Sequence, residues 1–209
     1  MHLLRLGMIV VLLPLALLSV QPNIVLIMVD DMGFSDIGPY GSEIRTPNLD
    51  SLAATGVRFT QFYNAGRCCP TRASLLTGLY PHQAGVGYME PTNRYNQPIV
   101  ERLHAPQYQG YLNRSCVTIA EVLRSAGYQT FMTGKWHVGA EATQRPWERG
   151  FDRYFGILAG ASNHFRPGDR LYCQDRQCAA PPDFYTTDYF SRYAARFIEE
   201  ASRERPFFL

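Results

Sequence analysis

Ile24-Val25-Leu26-Ile27-Met28-Val29-Asp30-Asp31 is an apolar run of six residues that ends on two carboxylates. No polar residue interrupts it, so it does not alternate as a strand with one wet face would. It reads as a strand buried on both faces, the pattern of a parallel sheet covered by helices on either side. Outward from it the chain keeps switching between strand and helix signals. Thr46 and Pro47 supply a cap and a first helical residue, and the helix through Leu49, Leu52 and Ala53 stops at Gly56. Residues 57–63 are rich in β-formers and are expected as a second strand. Pro70 opens a helix that carries Ala73, Leu75 and Leu76 and closes at Gly78. Thr118 and Glu121 form a capping box for a helix over 119–126, with Gly127 at its end. A strand over 128–133, a helix over about 187–201 and an apolar strand over 206–209 follow. This order predicts an α/β domain with a largely parallel sheet flanked by helices. Two long stretches, 79–115 and 139–182, lack clear periodicity and are read as loops; long loops of that kind are often functional.

Composition narrows the function classes. The 209 residues are 46% hydrophobic and 18% charged, which fits one globular domain and neither disorder nor a collagen-like chain. A net charge of +2 gives no electrostatic footprint for nucleic acid, and no nucleic-acid module is present. Residues 1–21 read as a signal peptide: Arg5 precedes an apolar run too short for an ordinary membrane span. An uncleaved N-terminal anchor is the alternative. Either predicts an exported protein. Of five cysteines, an odd count leaves at least one unpaired, as suits a cysteine reserved for chemistry. Cys173 and Cys178 bracket a short polar loop, as a disulfide after export or as two thiols. Asn113-Arg114-Ser115 fits a glycosylation acceptor in a eukaryotic secretory route.

Three polar groups fall just past the carboxyl ends of inferred strands, where open α/β sheets bind ligands. Asp30 and Asp31 are hard oxygen donors suited to calcium or magnesium, or else an ordinary turn ahead of Met32-Gly33. Cys68-Cys69-Pro70-Thr71-Arg72 places a cysteine at or near a helix start. Free backbone N–H groups there attract anions and depress a thiol pKa, and Arg72 adds a fixed positive fork. A Cys68–Cys69 pair spent on disulfides is the competing reading. Lys135 and His137 stand two apart and share a face if extended. One is a point charge for an anion and the other a proton carrier near neutrality, unless they are a plain surface pair. Tyr88, Tyr95 and Tyr108 either line a pocket or pack their own loop.

Cys68-x-Pro70-x-Arg72, continuing through Ala73-Ser74-Leu75-Leu76-Thr77-Gly78, resembles the sulfatase signature. Pro22-Asn23-Ile24-Val25-Leu26 running into Asp30-Asp31 is similar to the family's first strand and metal pair. Thr46-Pro47-Asn48-Leu49-Asp50, Gly134-Lys135-Trp136-His137 and Arg149-Gly150-Phe151-Asp152 with Tyr154-Phe155-Gly156 resemble further family blocks. The resemblance implies an alkaline-phosphatase-like sulfatase domain, with residues 22–209 as its N-terminal portion and the C-terminal part missing. It implies a sulfuric ester hydrolase in which a formylglycine-generating enzyme converts Cys68 to formylglycine. The hydrated aldehyde attacks sulfur, and sulfate stays on the enzyme until the aldehyde reforms. By the same resemblance calcium sits on Asp30, Asp31 and residue 68; Arg72 steadies the diol, Lys135 contacts diol and sulfate, and His137 assists elimination. The substrate would be a small-molecule or glycan sulfate ester. A second histidine, an Asp-Asn or Asp-Gln pair and another lysine of complete members have no match before Leu209, and His164 does not match the later histidine motif. A phosphonate or phosphate monoester hydrolase on the same scaffold, and a truncated non-catalytic chain, remain as alternatives.

Overall fold

The computed structural model describes residues 21–91 and 94–209; the expected signal segment, but for Gln21, lies outside the described residues. Five helices, α1 (Pro47–Thr55), α2 (Cys68–Thr77), α3 (Gln97–Leu103), α4 (Ile119–Ser125) and α5 (Thr186–Glu199), accompany five strands. The strands are β1 (Gln129–Lys135), β2 (Arg153–Ile157), β3 (Leu171–Cys173), β4 (Arg176–Gln177) and β5 (Phe207–Phe208), in the sheet order β4-β3-β2-β1-β5. The central pairs β1–β2 and β1–β5 are parallel, while β2–β3 and β3–β4 are antiparallel. The expected α/β sheet is therefore present, with an antiparallel hairpin on one edge, where the Cys173–Cys178 disulfide closes the turn.

Alternation along β1 and β2 builds the core on both faces. Phe131 and Phe155 point to α5, joining Phe197, Phe184, Leu171 and Phe207. Tyr193 of α5 stacks on Phe155 with ring centroids 3.6 Å apart. On the other face Tyr154, Phe151 and Trp136 pack with Ala120 of α4, Ala73 of α2 and Phe208. Each such large side chain taken from water contributes roughly 1.5–3 kcal/mol. Gly156 is required where the strands meet: a β-carbon there would lie 1.9 Å from the Gly134 carbonyl oxygen.

The capping box on α4 forms as expected. Thr118 accepts from the Glu121 N–H at 3.1 Å, and the Glu121 carboxylate accepts from the Thr118 N–H at 2.6 Å. Buried Arg149 then donates to Glu121 and to the carbonyls of Leu112 and Cys116, so the Arg149 block ties the long loop to the sheet. The Asn113 amide, the expected glycosylation acceptor, already donates to the Gln83 carbonyl at 2.8 Å.

Several expectations need correction. The opening run pairs only at its start: Ile24 bridges Phe208 in parallel, and the Leu26 N–H donates to the Leu209 carbonyl. Beyond that Ile27 is 75% exposed and Val29 52%, so the run is not buried on both faces among the described residues. Residues 57–63 form no strand; Val57, Phe59 and Tyr63 are exposed, and the Phe59 carbonyl accepts from the Tyr40 hydroxyl instead of a ladder partner. β-propensity without a pairing edge does not make a strand. Conversely, the stretch read as loop over 139–182 contains β2, β3 and β4, and that over 79–115 contains α3. Helix α2 starts at Cys68, two residues ahead of Pro70, because a proline needs no N–H anywhere in a first turn.

Candidate active site

The carboxyl end of β1 carries the site. Strand pairing continues past Lys135, with the N–H groups of Trp136 and His137 donating to the carbonyls of Ile157 and Leu158 at 2.9 and 3.0 Å. Trp136 is fully buried, its indole N–H donating to the Gln144 carbonyl at 3.0 Å. This buried anchor fixes Lys135 and His137 on either side of it. His137 adopts φ 57° and Asp31 φ 55°, in the left-handed region that costs a non-glycine residue energy and clusters at functional sites.

Asp30 is the meeting point. Lys135 Nζ donates to its Oδ2 at 2.5 Å, and an Arg72 guanidinium nitrogen lies 3.6 Å from the same oxygen. A second Arg72 nitrogen donates to the Lys135 carbonyl, locking α2 to the end of β1. Burial alone would raise the Asp30 carboxyl. The Lys135 hydrogen bond and the charges of Lys135, Arg72 and His137 outweigh it and hold the group below its ordinary value. His137 is buried, and that burial, followed by the charges of Lys135 and Arg72, pushes its imidazole down to about 4. It is therefore a neutral ring, able to accept a proton, at pH 7.

Cys68 is the first residue of α2, partly exposed and unpaired; its thiol and the Arg72 guanidinium interact electrostatically. Its neighbour behaves differently. Cys69 is fully buried, its Sγ 3.5 Å from Met89 Sδ and 3.8 Å from the Tyr88 carbonyl oxygen, and burial pushes its thiol up to about 11. One cysteine is partly exposed at the start of α2 and the other anchors residues 88–90, so the two are neither bonded to each other nor equivalent.

The structure thus brings together Asp30, Arg72, Lys135 and His137, with Cys68 beside Arg72. Asp31 is exposed and makes no hydrogen bond or ion pair among the described residues. Among those residues no three His, Cys, Asp or Glu side chains converge on a metal position. Two adjacent carboxylates have the donor chemistry of a calcium or magnesium site, so Asp30 and Asp31 fit as part of such a shell rather than all of it. A surface pocket of about 860 Å³, lined by Phe165, Arg166, Pro181, Phe184 and Tyr185, contains none of the six candidate residues.

Two neighbours of His137 escaped sequence reasoning. Glu90 is buried 3.8 Å from its Nε2, and Gly160 lies against the ring. Glu90 sits in an aperiodic loop and Gly160 between two alanines, so neither carries a local signal; only tertiary packing reveals them.

A family model described as Sulfatase matches residues 22–209. An uncharacterised sulfatase of Schizosaccharomyces pombe is 38% identical over 91% of this chain and 37% of its own length. An arylsulfatase of Klebsiella aerogenes is 36% identical over 90% of this chain and 41% of its own. The crystal structure of Ps i-CgsB in complex with k-i-k-neocarrahexaose superposes with a TM-score of 0.77 at 33% identity, over 90% of this chain and 44% of that one. The chain spans about two fifths of the length of these relatives.

Proposed function

The chain belongs to the sulfatase family, and from that premise we propose that residues 22–209 are the N-terminal portion of a catalytic domain that hydrolyses sulfate esters. The observation that carries the proposal is the convergence of Lys135 and Arg72 on Asp30 beside Cys68, in a chain whose family model spans every one of them. Residues 1–21 are read as the export signal of a secreted, periplasmic or lumenal enzyme. Nothing in the fold or the relatives favours the phosphonate reading.

Oxidation of Cys68 to formylglycine by a formylglycine-generating enzyme, which would read the Cys68-x-Pro70-x-Arg72 motif, supplies an aldehyde hydrate as nucleophile. Asp30 and Asp31, with residue 68, would hold one divalent ion, calcium in this reading, that supplies electrostatic activation of an oxygen. The chain's own side chains account for the remainder. Arg72, fixed by the Lys135 carbonyl and by Asp30, holds a positive fork where residue 68 emerges from α2. Lys135 brings a compact point charge to the same place, so a sulfate ester meets two cations at the start of a helix. His137, neutral at working pH, takes or returns a proton at the reacting oxygen. The Klebsiella arylsulfatase supports an aryl sulfate as a usable probe, and the neocarrahexaose-bound neighbour supports a sulfated glycan as natural substrate.

The test is turnover of 4-nitrophenyl sulfate by protein matured in a host that makes formylglycine, with the aldehyde at position 68 verified by peptide mass. Chelation should remove turnover and calcium restore it. Cys68→Ala should lower kcat by at least about 10⁴-fold, the scale set by deleting a nucleophile. Wild-type turnover by Cys68→Ala would refute the assignment.

A further inference from the structure

Glu90 is a buried carboxylate with no established task. Its carboxylate lies against the His137 ring, with Oε2 3.8 Å from Nε2. The loop carrying it is held from below: Cys69 Sγ contacts Tyr88 and Met89, and the Asn96 amide donates to the Glu90 carbonyl at 3.2 Å. Backbone also confines the Nε2 edge of the imidazole. A β-carbon at Gly160 would lie 2.2 Å from Nε2 and 2.3 Å from Cε1, so this ring edge rests directly on the Gly160 main chain. The other ring nitrogen, Nδ1, is buried and has no hydrogen-bond partner among the described residues.

A neutral imidazole has one N–H and one lone pair, and the partner of one nitrogen decides which is which. Only one of the two nitrogens faces an acceptor here. We propose that Glu90 is a positioning residue for His137: its carboxylate takes the proton side of the ring at Nε2, leaving Nδ1 as the lone pair that does proton transfer. This rests on the reading of His137 as the proton-transfer group. Burial lowers the His137 pKa and raises that of Glu90, so both pay for the arrangement and neither is placed there by solvation. The separation of 3.8 Å is longer than a hydrogen bond, and the neutral ring meets the carboxylate through its dipole; catalytic hydrogen bonds are often long in unliganded sites and tighten when substrate binds.

Two measurements test this. In the chain as it stands, nitrogen-15 NMR of the histidine rings reads the tautomer directly: the Nε2–H form is expected at His137, and an Nδ1–H form overturns the proposal without any assay of turnover. In matured, metal-loaded protein, Glu90→Ala should lower kcat about 10- to 100-fold with KM unchanged, the range for partners that orient a functional histidine. Glu90→Gln, whose amide oxygen still accepts from Nε2, should recover most of that loss. On a His137→Ala background, Glu90→Ala should cost nothing further. Equal losses on both backgrounds, or a Gln variant as poor as Ala, would mean that Glu90 is only structural. Should His137→Ala keep full kcat, the proton-transfer reading fails, while the tautomer still decides whether Glu90 sets the ring. If Glu90→Ala does not fold, the wild-type tautomer and the Gln variant give the answer.

Discussion

The two banks of the site are built differently. Lys135 ends β1, His137 follows just past it and Arg72 stands on α2, and the space between is filled by Trp136, Tyr154, Ala73 and Phe151. Asp30 and Asp31 end a segment whose apolar residues Val25, Ile27 and Val29 are more than half exposed, and Val57, Phe59, Phe62 and Tyr63 are likewise exposed. The cationic bank is rigid through packing; the acidic bank is held at Asp30 by Lys135 and Arg72. Precision at the first comes from shape, and at the second from charge.

Substitutions can break that contrast, starting where the effect is greatest. Phe155→Ala, emptying the β2 position under Tyr193, should cost about 3–5 kcal/mol in a urea unfolding experiment. A small cost there would mean that the sheet supporting the cationic bank is not tightly packed. Lowering pH should come next. His137 is held neutral by burial, with a folded pKa of about 4 against an unfolded 6.5, so its burial favours the fold above pH 6.5. That stability is lost as pH falls from 6.5 toward 4, because the unfolded chain binds the proton first. The same decline in His137→Asn would show that another group causes it; Asp30, whose lowered pKa gives the same sign at lower pH, is the alternative. Thr118→Ala removes the α4 cap and a bond to the Arg149 carbonyl, and should cost about 1–2 kcal/mol. In the 209-residue chain, Ile27→Ser should shift stability by no more than about 0.5 kcal/mol, as exposed positions do. A loss of several times that would place Ile27 in a packed interface and erase the difference between the banks.

The same contrast explains what was legible in the sequence. The Thr118–Glu121 box, the β1 and α5 segments and the Gly78 stop are local devices, each written in a few adjacent residues, and all are found. The residues 30, 68, 72, 135 and 137 were marked by motif chemistry, and the fold gathers Asp30, Arg72, Lys135 and His137 around one carboxylate. What failed depended on neighbours. Residues 57–63 have the composition of a strand but no edge to join among the described residues, and β2 to β4 gain their character from β1 and from each other. Glu90 and Gly160 matter only because a ring from a distant segment lies between them.

That last position has a genetic consequence. Glycine has no side chain, so every missense change at codon 160 adds at least one carbon, and the first carbon added already occupies the place of the His137 ring. The codon should therefore tolerate substitution as poorly as that of a residue doing chemistry. Variants there would lose stability together with turnover, because the buried His137 ring has to be displaced to admit the new carbon.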